Sequence, residues 1–436
     1  MVWLWTAPLG WLAVLALALL APPFLRTPLA FLLPALTLGG ALAADGPLER
    51  LLLGALWTLY ALKGSVLLGW TAQRVRAMSP LGLGLYLSFW PGMDPKPLQK
   101  RDPEVTLPGA WFVQGWITMV AGAVVFFSLP LFFKSSWLAL VCILATVHLG
   151  YSDVLSALVR WAGFPVHRLF TNPLASRGLR DFWSRRWNRP FVEMNRVLFM
   201  PLLQRLMGRR AAVMGAFVLS GVLHELAISL PADRGWGGPL LYFVIQGLGM
   251  YLEGPTRRGR LWTWAWILLP IPLLFHEAFR EALVMPLLDW LSNRSWLSSP
   301  RHCLSTLLWL AGWGHFLVLC ASFQVPRRLG WHEELSRLRP LNRKLLWVYG
   351  GFIVGMITSF GVLLLRLHPF ILARETGALH VVGFAAVFWT ARLVVDAIVF
   401  EHSDWPEGPD MVVGHTMLTS LFIFLATTCW LCLLWP

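Results

Sequence analysis

The sequence predicts an all-α protein that crosses a membrane about twelve times. Two features of composition indicate this fold class: 57% of the 436 residues are hydrophobic and only 13% are charged, about half the charged fraction of a soluble domain. The third is the grouping of apolar residues into runs of roughly 20, the helix length that spans a hydrocarbon core. Every backbone amide in lipid must find a partner inside its own segment, so we expect these runs to be helices.

The expected spans follow one another along the whole chain. They are residues 2–25, 28–44, 51–70, 110–133, 136–159, 211–230, 238–253, 260–276, 303–323, 345–367, 378–399 and 411–434. The first lacks a basic n-region and a clear small-residue cleavage site, which favours a retained helix over a cleaved signal peptide. Segments 28–44 and 260–276 are short and contain proline, so they are the least regular of the set.

Segment 191–208 is apolar in its middle, but polar residues on both sides make it a poor candidate for a membrane span. Its polar residues are Glu193, Asn195, Arg196, Gln204 and Arg205. If this segment does not cross, the basic loops 71–109, 160–190, 257–260 and 324–344 all share one side, as the enrichment of Lys and Arg in cytoplasmic loops requires. We therefore expect it to lie in the interface or to re-enter, with both termini outside. The amphipathic stretch 276–291 is expected along the opposite face.

Net charge and cysteine content exclude several classes of function. The formal charge of +14 is scattered over short loops, which is the ordinary topology signal and predicts no nucleic-acid partner. Cys429 and Cys432 form a lone CxxC at the end of the last apolar run, without a second pair or a nearby histidine, so we expect buried thiols and no metal. No Walker A, GxGxxG or EF-hand pattern is present, which argues against an ATP-driven or nicotinamide-dependent machine.

His224 is the strongest candidate for chemistry, because an ionisable group inside an apolar helix is costly to bury. Burial disfavours its charged form, so we expect a neutral imidazole that can accept a proton. Ser220 and Gly221 precede it by one turn on roughly the same face and leave room for a substrate. A histidine that only hydrogen-bonds to a neighbouring helix is the alternative. Glu225 points away from His224 and is expected to pair with an arginine on another helix.

A second candidate is the polar island RDFWSRRWNRP, residues 180–190. Its tryptophans and arginines are typical of a membrane interface, where rings lie at headgroup level and guanidinium groups meet phosphate. Anchoring alone does not explain Asn188, whose amide could hold a carbonyl or hydroxyl in place. Other polar residues are weaker candidates: Gln246 suits interhelical hydrogen bonding, and His315, His368, His380 and His415 are isolated and favour packed or headgroup-facing roles.

Four segments in this order resemble the wax synthase-like branch of the membrane-bound O-acyltransferase superfamily (MBOAT). They are FWSRRWN (182–188), SGVLHELAISLP (220–231), LLYFVIQGLGMYLE (240–253) and PLLFHEAFREALVMPLL (272–288). The resemblance covers roughly residues 30–290. It implies an MBOAT-like membrane domain over residues 1–295, followed by a C-terminal four-helix transmembrane module over 303–436 to which no chemistry transfers.

The resemblance implies an enzyme that moves a fatty acyl group from acyl-CoA to the hydroxyl of a lipophilic alcohol, forming a wax-type ester. It assigns catalysis to His224 and Asn188. It also implies that acyl-CoA is the co-substrate and that no separate cofactor or metal is needed. The expected substrate-binding residues are Trp183, Trp187, Arg185, Arg186, Ser220 and Gln246. Plant wax synthases more often carry a histidine at the position of Asn188, whereas diacylglycerol and sterol acyltransferases carry an asparagine there. The resemblance therefore leaves the identity of the acceptor open.

The expected location is the cytoplasmic membrane of a bacterium, with membrane lipids as neighbours. Two alternatives stay open at this stage. One is a transporter or lipid-binding protein in which His224 and Asn188 line a permeation or lipid site. The other is an inactive family member that serves as a scaffold for the C-terminal module.

Overall fold

A computed structural model describes residues 16, 19–253, 259–294, 299–400 and 408–434. Every regular element in these ranges is a helix, and short single turns join several of them. The main helices are α1 Pro23–Ala43, α2 Pro47–Leu68, α3 Ala72–Arg76, α4 Pro80–Leu87, α5 Gly109–Phe132, α6 Ser136–Trp161, α7 residues 179–186, α8 Arg189–Ala232, α9 Gly238–Glu253, α10 Arg260–Leu274, α11 residues 277–292, α12 Pro300–Ser322, α13 Pro340–Arg366, α14 Thr376–Ile398 and α15 Pro409–Leu434.

The predicted fold class, a polytopic helical membrane protein, is confirmed. Among the described residues nine helical stretches are long and apolar enough to cross a membrane, and they correspond to nine of the expected spans. Two others are shorter: α9 has 16 residues, and α10 is a short apolar helix. The expected first span, 2–25, lies mostly outside the described residues. Sidedness, including that of α11, stays a prediction.

Two compact units are separated by the packing of the helices. The first comprises Met1–Leu129 and Lys134–Asp289, and the second comprises Pro130–Phe133 and Trp290–Pro436. Within the second unit, α12 packs against α13 and α15, and α14 packs against α15. Trp389, Cys429 and Cys432 are buried in its apolar core. The division into an acyltransferase-like domain and a separate module stays a prediction.

Helix α8 is broken at Gly208, and this break shapes the centre of the first unit. Gly208 has φ 77° and ψ 167°, a conformation that glycine adopts without a steric penalty. The chain turns sharply there: a Cβ added to Gly215 would lie 3.2 Å from Met207 Sδ and 3.3 Å from a Leu203 methyl carbon. The doubtful segment 191–208 is therefore a helical arm that lies beside the arm that carries His224.

Candidate active site

A cavity of about 360 Å³ lies in the first unit between α7, both arms of α8, and α9. Aromatic and aliphatic side chains form most of its wall, and polar groups occur at a few points. Such a mixture is usual where a largely apolar ligand is held in one orientation. The polar residues of the wall are Ser184, Asn188, Asn195, Arg196, Gln204, Ser220 and His224.

His224 presents one ring nitrogen to a backbone carbonyl. Its Nδ1 lies 2.7 Å from the carbonyl oxygen of Ser220, one turn earlier in α8. A carbonyl can only accept, so Nδ1 carries the proton and the neutral ring keeps its lone pair on Nε2. Nε2 has no hydrogen-bond partner among the described residues. The ring forms part of the cavity wall, and its centroid lies 4.3 Å from that of the Phe243 ring. This is the arrangement that a general base needs.

Asn188 joins α7 to α8 and also lines the cavity. Its backbone is left-handed, with φ 44°, a conformation that asparagine tolerates better than most residues. Its Oδ1 accepts a hydrogen bond from the Phe191 amide at 3.3 Å and so caps the first turn of α8. Because the cap fixes Oδ1, the NH₂ end of the amide is the group left to donate to a ligand.

An aromatic cluster holds the FWSRRWN segment against α9 and α8. Trp187 stacks on Phe182 with ring centroids 5.3 Å apart, and Trp183 packs edge-on against Phe217. The Trp183 indole donates to Gln246 Oε1 at 3.2 Å, and Gln246 in turn donates to the Trp266 carbonyl at 2.6 Å. Gln246 is fully buried and lies behind Trp183, outside the cavity wall.

Arg185 and Arg186, the two arginines of the polar island that were predicted to bind substrate, have different surroundings. Arg186 bonds to Asp181 Oδ2 at 2.8 Å and donates to the carbonyls of Thr171 and Asn172, so it fastens the preceding loop to α7. Arg185 is exposed at the surface of the unit. Neither side chain lies in the cavity wall.

The start of α7 is clamped by Glu253 at the end of α9. The carboxylate accepts a hydrogen bond from the Arg180 amide at 3.0 Å. A Cβ on Gly178 would lie 2.0 Å from Glu253 Oε1, so a larger residue there would displace the carboxylate. The FWSRRWN segment is therefore held at both ends, by Glu253 at its start and by the Asn188 cap at its end.

Glu225 caps α9 and has no arginine partner among the described residues, so the expected ion pair is wrong. Its Oε1 accepts from the amides of Gly237 and Leu240, both at 3.0 Å. Unpaired amides at a helix N-terminus carry partial positive charge, so they stabilise Oε1 in place of an arginine, while Oε2 is buried without a partner among the described residues.

The cavity brings together five of the eight predicted site residues: Trp183, Trp187, Asn188, Ser220 and His224. It leaves out Arg185, Arg186 and Gln246. Asn195, Arg196 and Gln204 also line the cavity. In the sequence they indicated only that segment 191–208 is a poor membrane span. Their spacing, i, i+1 and i+9, does not place them on one face of a regular α-helix, so the sequence carried no clear signal for them.

Residues 166–245 match the Membrane bound O-acyl transferase family. The matched stretch contains Asn188, His224 and nearly all of the cavity wall, and it supports membership in the superfamily. No curated protein matches the chain significantly. No solved structure does so either. Among the described residues no group of His, Cys, Asp and Glu side chains could hold a metal ion.

Proposed function

We propose that this integral membrane protein is a wax synthase-like acyltransferase that transfers a fatty acyl group from acyl-CoA to the hydroxyl of a lipophilic alcohol. The observation that carries the proposal is the cavity wall shared by Asn188 and His224, with Nε2 of His224 unpartnered among the described residues. The family match over residues 166–245 supports acyl transfer as the reaction class.

His224 Nε2 takes the proton from the alcohol as the oxygen attacks the thioester carbonyl carbon. The amide NH₂ of Asn188 donates to the oxyanion of the tetrahedral intermediate, a type of contact that contributes about 10²–10³ in rate where it has been removed. The intermediate collapses to the ester as its carbon–sulfur bond breaks. The leaving thiolate then takes the proton from His224, which releases CoA as the free thiol and returns His224 to its neutral form. General-base catalysis of this kind contributes about 10²–10⁴.

The apolar wall suits the acyl chain and excludes the water that would hydrolyse the thioester. Arg185 is exposed beside the cavity and suits the phosphates of CoA. Trp183 and Trp187 shape the wall, and Gln246 positions Trp183 through its hydrogen bond. The proposed setting is the cytoplasmic membrane of a bacterium, where acyl-CoA reaches the protein from the cytoplasm.

Purified protein incubated with labelled acyl-CoA and a panel of long-chain alcohols tests the proposal. We expect labelled ester and an equal amount of free CoA with at least one alcohol. Binding of acyl-CoA or of the alcohol without CoA release, from a folded preparation, would reject acyl transfer and favour the lipid-binding or transport alternative. A heat-treated sample controls for spontaneous thioester hydrolysis.

A further inference from the structure

A cluster of cations lies in the first unit, where α5 begins and α6 ends. It consists of Arg101, Arg160, His167 and Arg189, which we call the basic patch. Arg101 and His167 are exposed, and the other two are partly exposed. None of the four side chains belongs to the wall of the cavity that contains His224 and Asn188. The basic patch is therefore a surface outside the candidate active site.

The loop that follows α6 brings these cations together. Arg160 Nη1 donates to the carbonyl directly before His167 at 3.1 Å, and the Arg189 amide donates to the carbonyl two residues after His167 at 3.0 Å. Arg101 lies beside the same loop, because a Cβ added to Gly163 would be 3.6 Å from the Cβ of Arg101. All four cations therefore adjoin one short stretch of backbone.

The positive charges of the patch act on one another. Partial burial lowers the pKa of His167, and the guanidinium groups of Arg189 and Arg160 lower it further. Like charges that share a site raise its electrostatic energy, and an anion among them lowers it.

The acids around the patch are directed elsewhere. Asp153 pairs with Arg168, and Glu193 Oε2 accepts from two backbone amides of loop 88–95. Asp102 Oδ1 accepts the amide two residues further along at 3.0 Å. Among the described residues, no cation of the patch has a carboxylate within ion-pair distance. An anion that neutralises the patch would therefore be a ligand.

Tryptophans indicate that the patch lies at the level of the lipid headgroups. Trp161, the last residue of α6, is 46% exposed. The Trp111 ring, in the first turn of α5, has its centroid 5.6 Å from Arg160 Cζ. Both helices are candidate membrane spans, and tryptophan is enriched at membrane interfaces. The anion abundant in that layer is the lipid phosphate, whose geometry guanidinium groups match.

We propose that the basic patch binds the headgroup of an anionic phospholipid, with Arg101, Arg160 and Arg189 around its phosphate. Phosphatidylglycerol carries a net negative charge, whereas the ammonium group of phosphatidylcholine would meet like charges in the patch. Basic clusters beside membrane helices bind anionic lipids in this way.

The test measures binding of fluorescently labelled dioleoyl phosphatidylglycerol to the full chain in detergent, with unlabelled phosphatidylglycerol, phosphatidylcholine and free CoA as competitors. We expect phosphatidylglycerol to compete about a hundredfold better than phosphatidylcholine, because each of three arginines beside an anionic headgroup contributes about fivefold in affinity. Salt at about 0.5 M should reduce this preference, since it screens exposed charges.

A double variant identifies the patch as the site. Arg101→Gln with Arg189→Gln should bind phosphatidylglycerol about 25-fold more weakly and phosphatidylcholine unchanged. The matched control is Arg339→Gln with Arg343→Gln, which removes the same charge from exposed positions at the start of α13 and should bind like the wild type. If the first double variant does not accumulate, Arg101→Gln alone should weaken binding about fivefold.

Three results would overturn the inference. They are equal competition by the two phospholipids, an equal loss of affinity in both double variants, or displacement of phosphatidylglycerol by free CoA that disappears when Arg101 and Arg189 are replaced. The last result would assign the patch to the phosphates of CoA. Because the measurement involves no acyl transfer, the inference and the proposed function can fail separately.

Discussion

His224 in the first unit and His315 in the second begin from the same local arrangement. Each lies in a long apolar helix, and each directs Nδ1 to the carbonyl one turn earlier, Ser220 or Ala311, at 2.7 Å. They differ at the second nitrogen. Nε2 of His315 accepts from the Trp389 indole at 2.9 Å, and the ring is fully buried. Nε2 of His224 borders a cavity and has no partner among the described residues.

This difference shows that burial alone does not indicate function in a membrane helix. A histidine with both nitrogens satisfied contributes a hydrogen-bonded packing unit, whereas one with a free basic nitrogen at a cavity can take up a proton. The local sequences, SGVLH and AGWGH, do not distinguish the two cases. The distinction lies in a tryptophan that is distant in sequence and present beside only one of them.

The largest expected effect is that of His224→Ala on acyl transfer. Removal of the proton acceptor should lower kcat by about 10²–10⁴. The ring borders a cavity and one of its nitrogens has no partner, so the melting temperature should change little. Ester formation from labelled acyl-CoA measures the first quantity and thermal unfolding the second. A variant with wild-type kcat would remove His224 from the mechanism.

Asn188→Gly separates catalysis from helix capping. Glycine accepts the left-handed backbone and costs only a few tenths of a kcal/mol as a cap, but it removes the amide donor. We expect kcat to fall by about 10²–10³ with nearly unchanged stability. Asn172→Gly is the matched control, because Asn172 is also left-handed, with φ 43°, and lies outside the cavity wall. Equal activity in the two variants would mean that Asn188 only caps.

His315→Ala should have the opposite signature. It leaves a cavity in the core of the second unit and removes the acceptor for the buried Trp389 N–H, at a cost of about 1–3 kcal/mol for the unpaired group. We expect a lower melting temperature and an unchanged KM and kcat for acyl transfer in the folded fraction. A specific loss of kcat at normal stability would show that the second histidine also takes part in the chemistry.

Trp389→Phe gives the smallest expected effect and makes His315 more like His224. The ring packing against Phe422 is largely kept, while the donor to His315 Nε2 is lost. We expect a destabilisation of about 1 kcal/mol. Combined with His315→Ala, the two changes should be less than additive, as expected for partners in one hydrogen bond. Strict additivity would argue against the bond.

The sequence predicted the helical fold class because length and hydropathy determine which segments can cross a bilayer. It also predicted the bounds of α9, 238–253, but not the cap at its start, where Glu225 accepts from the amides of Gly237 and Leu240. It also did not predict the reversal at Gly208. An isolated glycine in a helical pattern is compatible with a continuous helix or a break, and only packing against the rest of the unit decides between them.

The candidate site was predictable in part for the same reason. His224 stood out because it is an ionisable residue in an apolar run, and Asn188 stood out because interface anchoring does not explain an amide in the polar island. Asn195, Arg196 and Gln204 looked like defects of a span because their place in the cavity wall depends on how the arm before Gly208 folds back. Arg186 looked like a ligand for phosphate, but its hydrogen bonds go to Asp181 and to loop carbonyls.

The most direct measurement assays His224→Ala and His315→Ala side by side for ester formation from labelled acyl-CoA and for thermal unfolding. We predict that His224→Ala loses acyl transfer and keeps its melting temperature. We predict that His315→Ala keeps transfer per folded molecule and melts at a lower temperature. The same pattern in both variants, or transfer retained in His224→Ala, would contradict the assignment of His224 as the proton acceptor.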